Sequence, residues 1–266
     1  MAHVFDVIKR TFDDNAIVLF IDLLGTRAYW KSATPTEAQA LTTIHALLGN
    51  FDIVFCKHFN QAESKDSFDV SIYADSIVIS QRKDVTNIID RIVKFALSYQ
   101  LYLLQKDESS RAIILKDAFF SFKMGKISDE SILGSRYTSI SLCGGRGIIS
   151  AHDREEGLPI GVYVDSCFLP HLSDEFKNRI VSIKQDSSLY FVKQKVDIIS
   201  LLPENTQKLL LNKPKAGIKA IRHSLLASLK DNTKVDKFLP WILVHLGKEN
   251  EISKICAEHK NQPDRE

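Results

Sequence analysis

Two aspartates stand where a carboxylate could do chemistry. Asp22 closes the apolar, β-branched run Ala16-Ile17-Val18-Leu19-Phe20-Ile21, and Asp75 lies inside Phe68 to Ser80 (FDVSIYADSIVIS), between an alternating apolar stretch and a second β-branched one. An ionised carboxylate beside such a core is costly unless it is hydrated, paired or metal-bound. Two carboxylates brought together from adjacent strands repel unless a cation lies between them. Magnesium suits the pair, because it takes one or two protein carboxylates and fills its remaining positions with water and phosphate oxygens. Two ions about 3.5–4 Å apart would assist both the attacking and the leaving oxygen of a displacement at phosphorus. The Gly25-Thr26 turn after Asp22 would let backbone N–H groups approach a triphosphate. An isolated aspartate at a strand end is more often a turn former or helix cap. The repetition of the setting, with Leu-Leu-Gly after one acid and Ser-Ile-Val after the other, favours the metal.

The elements that must position these acids follow from periodicity. Residues 16–21 read as a buried strand. Thr34-Pro35-Thr36-Glu37 starts a helix, with apolar residues recurring from Ala40 to Phe55 at the spacing of one buried face. Residues 68–80 read as a hairpin with its acid at or near the turn. A helix over 85–104, a strand over 112–122 and a short strand over 139–142 come next. Gly144-Gly145-Arg146-Gly147 leads into a helix through about Glu155, and a strand follows over 160–164. Helices alternating with strands, including a hairpin, predict an α+β fold of the ferredoxin-like kind, an antiparallel-containing sheet covered by helices. Beyond about residue 170 helical patterns dominate, notably 206–229 and 235–246, with little β signal. The expected division is a catalytic domain over 10–168 and a mainly helical C-terminal appendage over 169–266.

Composition narrows the classes. The 266 residues carry a formal charge of +2, and basic residues rarely run beyond a pair, so nucleic acid is not the expected partner. Cys56, Cys143, Cys167 and Cys256 lie far apart without a CxxC, which suggests reduced, mostly buried thiols in a cytoplasmic protein. No signal peptide is read at the N-terminus, and no apolar run approaches the roughly 20 residues that cross a bilayer, so no membrane insertion is expected. The glycine run is not a GxxxxGK[ST] loop, no GxSxG elbow occurs, and the histidines form no HExxH.

Over residues 16–165 the order and spacing of three segments resemble class III nucleotide cyclases. Phe20 to Thr26 (FIDLLGT) is similar to that family's first metal-binding segment, and Tyr73 to Ser80 (YADSIVIS) to the second, which lies in a β-hairpin. The branch most alike is that of the Pycsar pyrimidine cyclases. Their later segment often reads G-x-A-x-x-x-A-x-x-x-E before a strand, and Gly145, Ala151 and Glu155 match it. The resemblance implies that Asp22 and Asp75 bind two Mg²⁺ or Mn²⁺ ions, with the backbone carbonyl of Leu23 as a further ligand. It implies a homodimer with active sites across the subunit interface. It also implies cyclisation of a nucleoside triphosphate, CTP or UTP, to a 3′,5′-cyclic monophosphate and pyrophosphate. In that branch the product is a second messenger of anti-phage defence and acts on a separate effector protein.

The sequence also departs from the family. The helix after the glycine usually bears an Asn and an Arg, and alignment through Gly145 and Ala151 puts Ile149 and Asp153 there. Arg154, or Arg146, is the nearby candidate for a phosphate contact. Lys116-Asp117 stands where many relatives have Arg-Gly; Lys116 would offer a cation to the triphosphate and Asp117 would narrow the space beside it. No acid falls within Ser139 to Ser141, where adenylate cyclases often read adenine, and the hydroxyls there suit a pyrimidine edge. Tyr29, Trp30 and Tyr73 are candidates for stacking on a base, and His152 for a proton relay. Two other readings stand beside this one: a nucleotide-binding regulatory protein with an inactive cyclase-like domain, and an interaction module built on the helical tail.

Overall fold

The computed structural model describes residues 5–23, 51–59, 68–73, 76–81, 87–104, 110–126, 139–155, 158–183, 186–195, 204–229 and 232–246. The expectations made for Gly25, Thr26, Tyr29, Trp30, the helix start at Thr34, Asp75 and Cys256 lie outside the described residues.

Strand β1 (Phe5–Leu23), helix α1 (Phe51–His58), strands β2 (Phe68–Tyr73) and β3 (Ser76–Gln81), helix α2 (Ile88–Leu104) and strand β4 (Ser110–Lys126) form a β-α-β-β-α-β unit. Its strands lie in the order β2-β3-β1-β4 with every neighbouring pair antiparallel, the ferredoxin-like arrangement. Strand β5 (Ser139–Gly144) pairs with the outer half of β4, and helix α3 (Arg146–Glu155) leads from it to β6 (Gly161–Asp165), which runs parallel to the first half of β4. A 3₁₀ turn (Ser166–His171) and helix α4 (Asp174–Lys177) precede β7 (Ile180–Ser182) and β8 (Leu189–Val192). The described residues are therefore α+β, built on one eight-stranded sheet in the order β2-β3-β1-β4-β6-β8-β7 with β5 beside β4.

Three differences from the sequence reading have physical causes. Strand β1 starts at Phe5, not near residue 16, because Phe5 to Asp13 pair with residues 119–126 of β4 past irregularities at Val7/Lys9 and Asp13/Ala16. The sheet also continues past residue 168. Strands β7 and β8 are only three and four residues long, too short for periodicity to announce them, and β8 is fixed by pairing with β6. Among the described residues the tail then forms α5 (Glu204–Asn212), α6 (Pro214–Leu229) and α7 (Asn232–His245). The pattern over 206–229 breaks because Pro214 starts a new helix: it has no N–H to continue the old one and is favoured at a first turn.

Alternation along β1 explains its unbroken apolar run, since both faces of the strand are buried. Leu19, Ile21 and Leu23 join a core with Phe51, Phe55, Phe95 and Tyr99 of α1 and α2. Ala16, Val18 and Phe20 join a second core with Ala151 of α3, Ile218 and Ile221 of α6, and Leu239 and Leu243 of α7. Behind β8, the buried Gln194 donates its side-chain amide to the Leu97 carbonyl at 3.0 Å and to Gln100 Oε1 at 3.2 Å, both on α2. The Gln194 backbone N–H donates to His245 Nε2 at 2.9 Å. Accepting at Nε2 places the ring hydrogen of His245 on Nδ1, 2.7 Å from the Trp241 carbonyl it donates to. Burial first, then Lys193 and Arg179, holds that imidazole below its ordinary pKa despite the Trp241 contact. Cys56 and Cys167 are exposed and Cys143 is half-buried, which corrects the expectation of mostly buried thiols. Cys56 lies on α1, Cys167 on the 3₁₀ turn and Cys143 on β5. Among the described residues no helix is long and apolar enough to cross a membrane.

The glycine run serves packing. Gly145 has φ 123°, and a Cβ there would lie 2.4 Å from the Ala118 carbonyl oxygen and 2.9 Å from Phe119 Cα. At Gly147 a Cβ would lie 2.9 Å from Val18 Cγ2, so the start of α3 rests directly on β1 and β4. Gly145→Ala is expected to lower stability by about 2–3 kcal/mol through left-handed backbone strain and the backbone overlap. Thermal denaturation checks this, and an unchanged melting temperature would mean the helix start does not lie this close to β4.

Candidate functional site

Asp22 lies next to the end of β1, between two strands. Its Cα partner is Ser76 on β3 on one side and Arg111 on β4 on the other. The Ser76 hydroxyl lies 3.3 Å from Asp22 Oδ1 and Arg111 Nη2 lies 3.4 Å from Oδ2. The Asp22 and Arg111 side chains are 14% and 16% exposed, so water reaches the carboxylate without surrounding it. Alternation along β1 puts Asp22 on the face of Val18 and Phe20, the face that α3 covers. Arg111 bridges to that helix, where Nη1 donates to the Glu155 carbonyl oxygen. The hairpin strands on the other side pair Tyr73 with Ser76, and the residue before Ser76 in the chain is Asp75.

The Asp22 carboxylate and the Ser76 hydroxyl offer oxygens, the chemistry that a hard divalent cation takes. The Ser76 and Arg111 contacts, at 3.3 and 3.4 Å, are longer than the roughly 2.7–2.9 Å of a tight charge-assisted hydrogen bond. Leu23 follows as the last residue of β1, its side chain buried on the opposite face. Among the described residues no three His, Cys, Asp or Glu side chains gather as a metal cluster. Arg111 was not singled out in the sequence. A basic residue opening an apolar strand reads as an ordinary flank, and only the strand register reveals it opposite Asp22.

Among the described residues, Lys116 and Arg154 are not brought to Asp22. Lys116 pairs with Ile17, five residues from Asp22 along β1 (17 to 22), which is about 17 Å at 3.4 Å per residue. An odd separation from Arg111 also sends its side chain to the other face. Asp117 instead holds the first turn of α3: Oδ1 lies 3.2 Å from Arg146 Nε, and Oδ2 accepts from the Ser150 hydroxyl at 3.2 Å. Ile149 and Asp153 are exposed on α3. Tyr73 ends β2 opposite Ser76. His152 Nδ1 lies 3.1 Å from Glu155 Oε1.

Arg154 is fully occupied elsewhere. Nη1 donates to Asp165 Oδ2 at 2.6 Å, Nε to Asp186 Oδ2 at 2.8 Å, and Nη2 to the Ser188 hydroxyl at 2.6 Å. This network ties α3 to β6 and to the turn before β8, and it uses every guanidinium nitrogen. Burial by itself would raise both carboxyls. At Asp165 the Cys167 backbone N–H and then Arg154 outweigh it, and at Asp186 the Ser188 hydroxyl and then Arg154 do, so both titrate below the ordinary aspartate range. A depressed carboxyl stabilises the fold above its unfolded pKa of about 4 and stops doing so as pH falls through the folded value. Wild-type melting temperature is therefore expected to drop on acidification below about pH 4. Arg154→Ala, which costs about 2 kcal/mol at neutral pH, is expected to flatten that drop. Equal acid sensitivity in the two proteins, read from melting curves between pH 6 and pH 3, would contradict the assignment.

No protein-family model and no curated protein sequence matches the chain. Solved structures similar to it include the guanylyl cyclase Cya2, at 13% identity and a TM-score of 0.48, covering 72% of this chain and 96% of that one. The dimeric guanylyl cyclase domain of the RhoGC fusion protein from the aquatic fungus Blastocladiella emersonii is 12% identical with a TM-score of 0.48, covering 69% of this chain and 96% of that one. The adenylyl cyclase CyaB from P. aeruginosa is 12% identical with a TM-score of 0.48, covering 71% of this chain and 98% of that one.

Proposed function

We propose that the chain is a divalent-metal-dependent nucleotide cyclase, with Asp22 and Asp75 as its metal carboxylates. One observation carries the reading: Asp22 stands at the end of β1 with Ser76 as its cross-strand partner, so the chain delivers Asp75 one residue from that partner. Two carboxylates brought together there would repel, and a divalent cation between them would offset the repulsion. In this reading Asp22, Asp75 and the Leu23 carbonyl hold Mg²⁺ or Mn²⁺, which when bound neutralises the triphosphate and the leaving pyrophosphate. Ser76 orients the Asp22 carboxylate from one side and Arg111 from the other. The ribose 3′-oxygen attacks the α-phosphorus as the bond to pyrophosphate breaks. The protein's work is positioning and charge neutralisation.

The finer assignments rest on sequence. The absence of an acid in Ser139 to Ser141, together with the Pycsar-like segment through Glu155, supports CTP or UTP as substrate. The same resemblance supports a homodimer, a cyclic CMP or cyclic UMP messenger, a separate effector and a role in anti-phage defence. The catalytic unit is residues 10–168, to which β7, β8 and the tail helices are joined. A second reading, a nucleotide-binding protein without turnover, is favoured by the distance of Lys116 from Asp22 and by the occupation of Arg154. Incubation of the full chain with ATP, GTP, CTP or UTP and Mn²⁺, with products identified by mass spectrometry, separates the two. A 3′,5′-cyclic pyrimidine nucleotide is the expected product. Nucleotide binding without any cyclic product would establish the second reading instead.

A further inference from the structure

The carboxylate assigned to the metal already has a cation beside it. Arg111 Nη2 lies 3.4 Å from Asp22 Oδ2, while the same guanidinium presents Nε to Glu155 Oε2 at 3.8 Å. The Glu155 side chain is 7% exposed. Its Oε1 contacts His152 Nδ1, but Oε2 is buried without a hydrogen-bond partner among the described residues, and so is Arg111 Nε. A buried donor and a buried acceptor left unmade are costly, the more so when charged. These two face each other, and closing their gap by about 1 Å would make a charge-assisted hydrogen bond. Throughout such a movement Nη1 could stay on the Glu155 carbonyl, which makes that contact the pivot.

Resting on the reading of Asp22 as a metal ligand, we propose that Arg111 is the resident counter-ion of Asp22 in the metal-free protein. When a divalent cation takes its place, the guanidinium closes onto Glu155 Oε2. A guanidinium and a divalent cation on one carboxylate repel strongly in a part-buried site, so one must yield. Glu155 supplies the position to which Arg111 yields, and Asp22 is never left uncompensated. Metal affinity is then set by an exchange between two carboxylates, with Glu155 on α3 acting as a positioning residue through Arg111.

The test is calorimetric titration of the full chain with MnCl₂ in the absence of nucleotide. Arg111→Gln, which keeps a donor for the Glu155 carbonyl, is expected to bind Mn²⁺ about tenfold tighter, and Glu155→Gln about tenfold weaker. In the double variant the effect of Glu155→Gln should vanish, leaving the affinity of Arg111→Gln within about twofold. Unchanged affinity in both single variants overturns the inference. So does a Glu155→Gln effect that persists in the Arg111→Gln background, because Glu155 would then act on the ion directly. If Arg111→Gln does not fold, Glu155→Gln decides alone: weaker Mn²⁺ binding supports the exchange and unchanged binding overturns it. If the wild-type chain binds no Mn²⁺, or binds it equally well with Asp22→Asn, the metal reading itself falls, and this inference with it.

Discussion

Asp22→Asn is expected to form cyclic nucleotide at less than about one hundredth of the wild-type rate, the loss typical when a group that organises transition-state charge is removed. Asparagine keeps the shape of the side chain and an oxygen for the Ser76 hydroxyl, so the end of β1 should hold its register. It removes the negative charge that faces Arg111 and that the proposed metal would take. The measurement is product formation from CTP and UTP with Mn²⁺, run beside a melting curve. Asp75→Asn should behave alike. A folded Asp22→Asn protein that retains its rate would remove Asp22 from the mechanism.

Phe95→Ala should have the opposite profile, with a large effect on stability and a small one on turnover. Phe95 is 0% exposed, and its ring lies 5.2 Å from that of Phe55, 5.6 Å from Phe51 and 5.7 Å from Tyr99. Removing it leaves a cavity at the centre of an aromatic cluster and is expected to cost about 3–5 kcal/mol. For a chain of this size that lowers the melting temperature by about 10 °C. Phe95 belongs to the core under α1 and α2, whereas Asp22 shares the other face of β1. Activity well below the melting transition should therefore survive. A loss of rate without a loss of stability would mean that the two faces are not independent.

The features that were legible in the sequence are those enforced by burial over several residues. The run from Ala16 to Ile21 could be read because both faces of that strand are covered, and the hairpin around Asp75 because apolar residues flank it closely. What stayed hidden depends on partners distant in sequence. Phe5 to Asp13 mix charged and apolar residues, and it is the ladder to β4 that makes them a strand. Arg154 looked free for a phosphate because Asp165 and Asp186 lie 11 and 32 residues away and reach it only through the fold. Lys116 and Arg111 sit on the same strand, and sequence gave no means of choosing between them. Register does: Arg111 faces Asp22 and Lys116 faces Ile17. The glycines before α3 match no phosphate loop in sequence, and the close approach of Ala118 and Val18 gives them a packing role that only the fold reveals.

The amide of Gln194 has a practical consequence for anyone cutting the gene. Because the Gln194 side chain donates to Leu97 and Gln100 while its backbone N–H donates to His245, α7 is bolted to α2 and does not hang from the sheet as a separable piece. A shortened product ending near residue 168 would shed β7, β8 and that bolt together, baring the Tyr163–Asp165 margin and the apolar side of Val18 and Phe20. Such a fragment should precipitate, and its silence in an assay would say nothing about which half carries the chemistry.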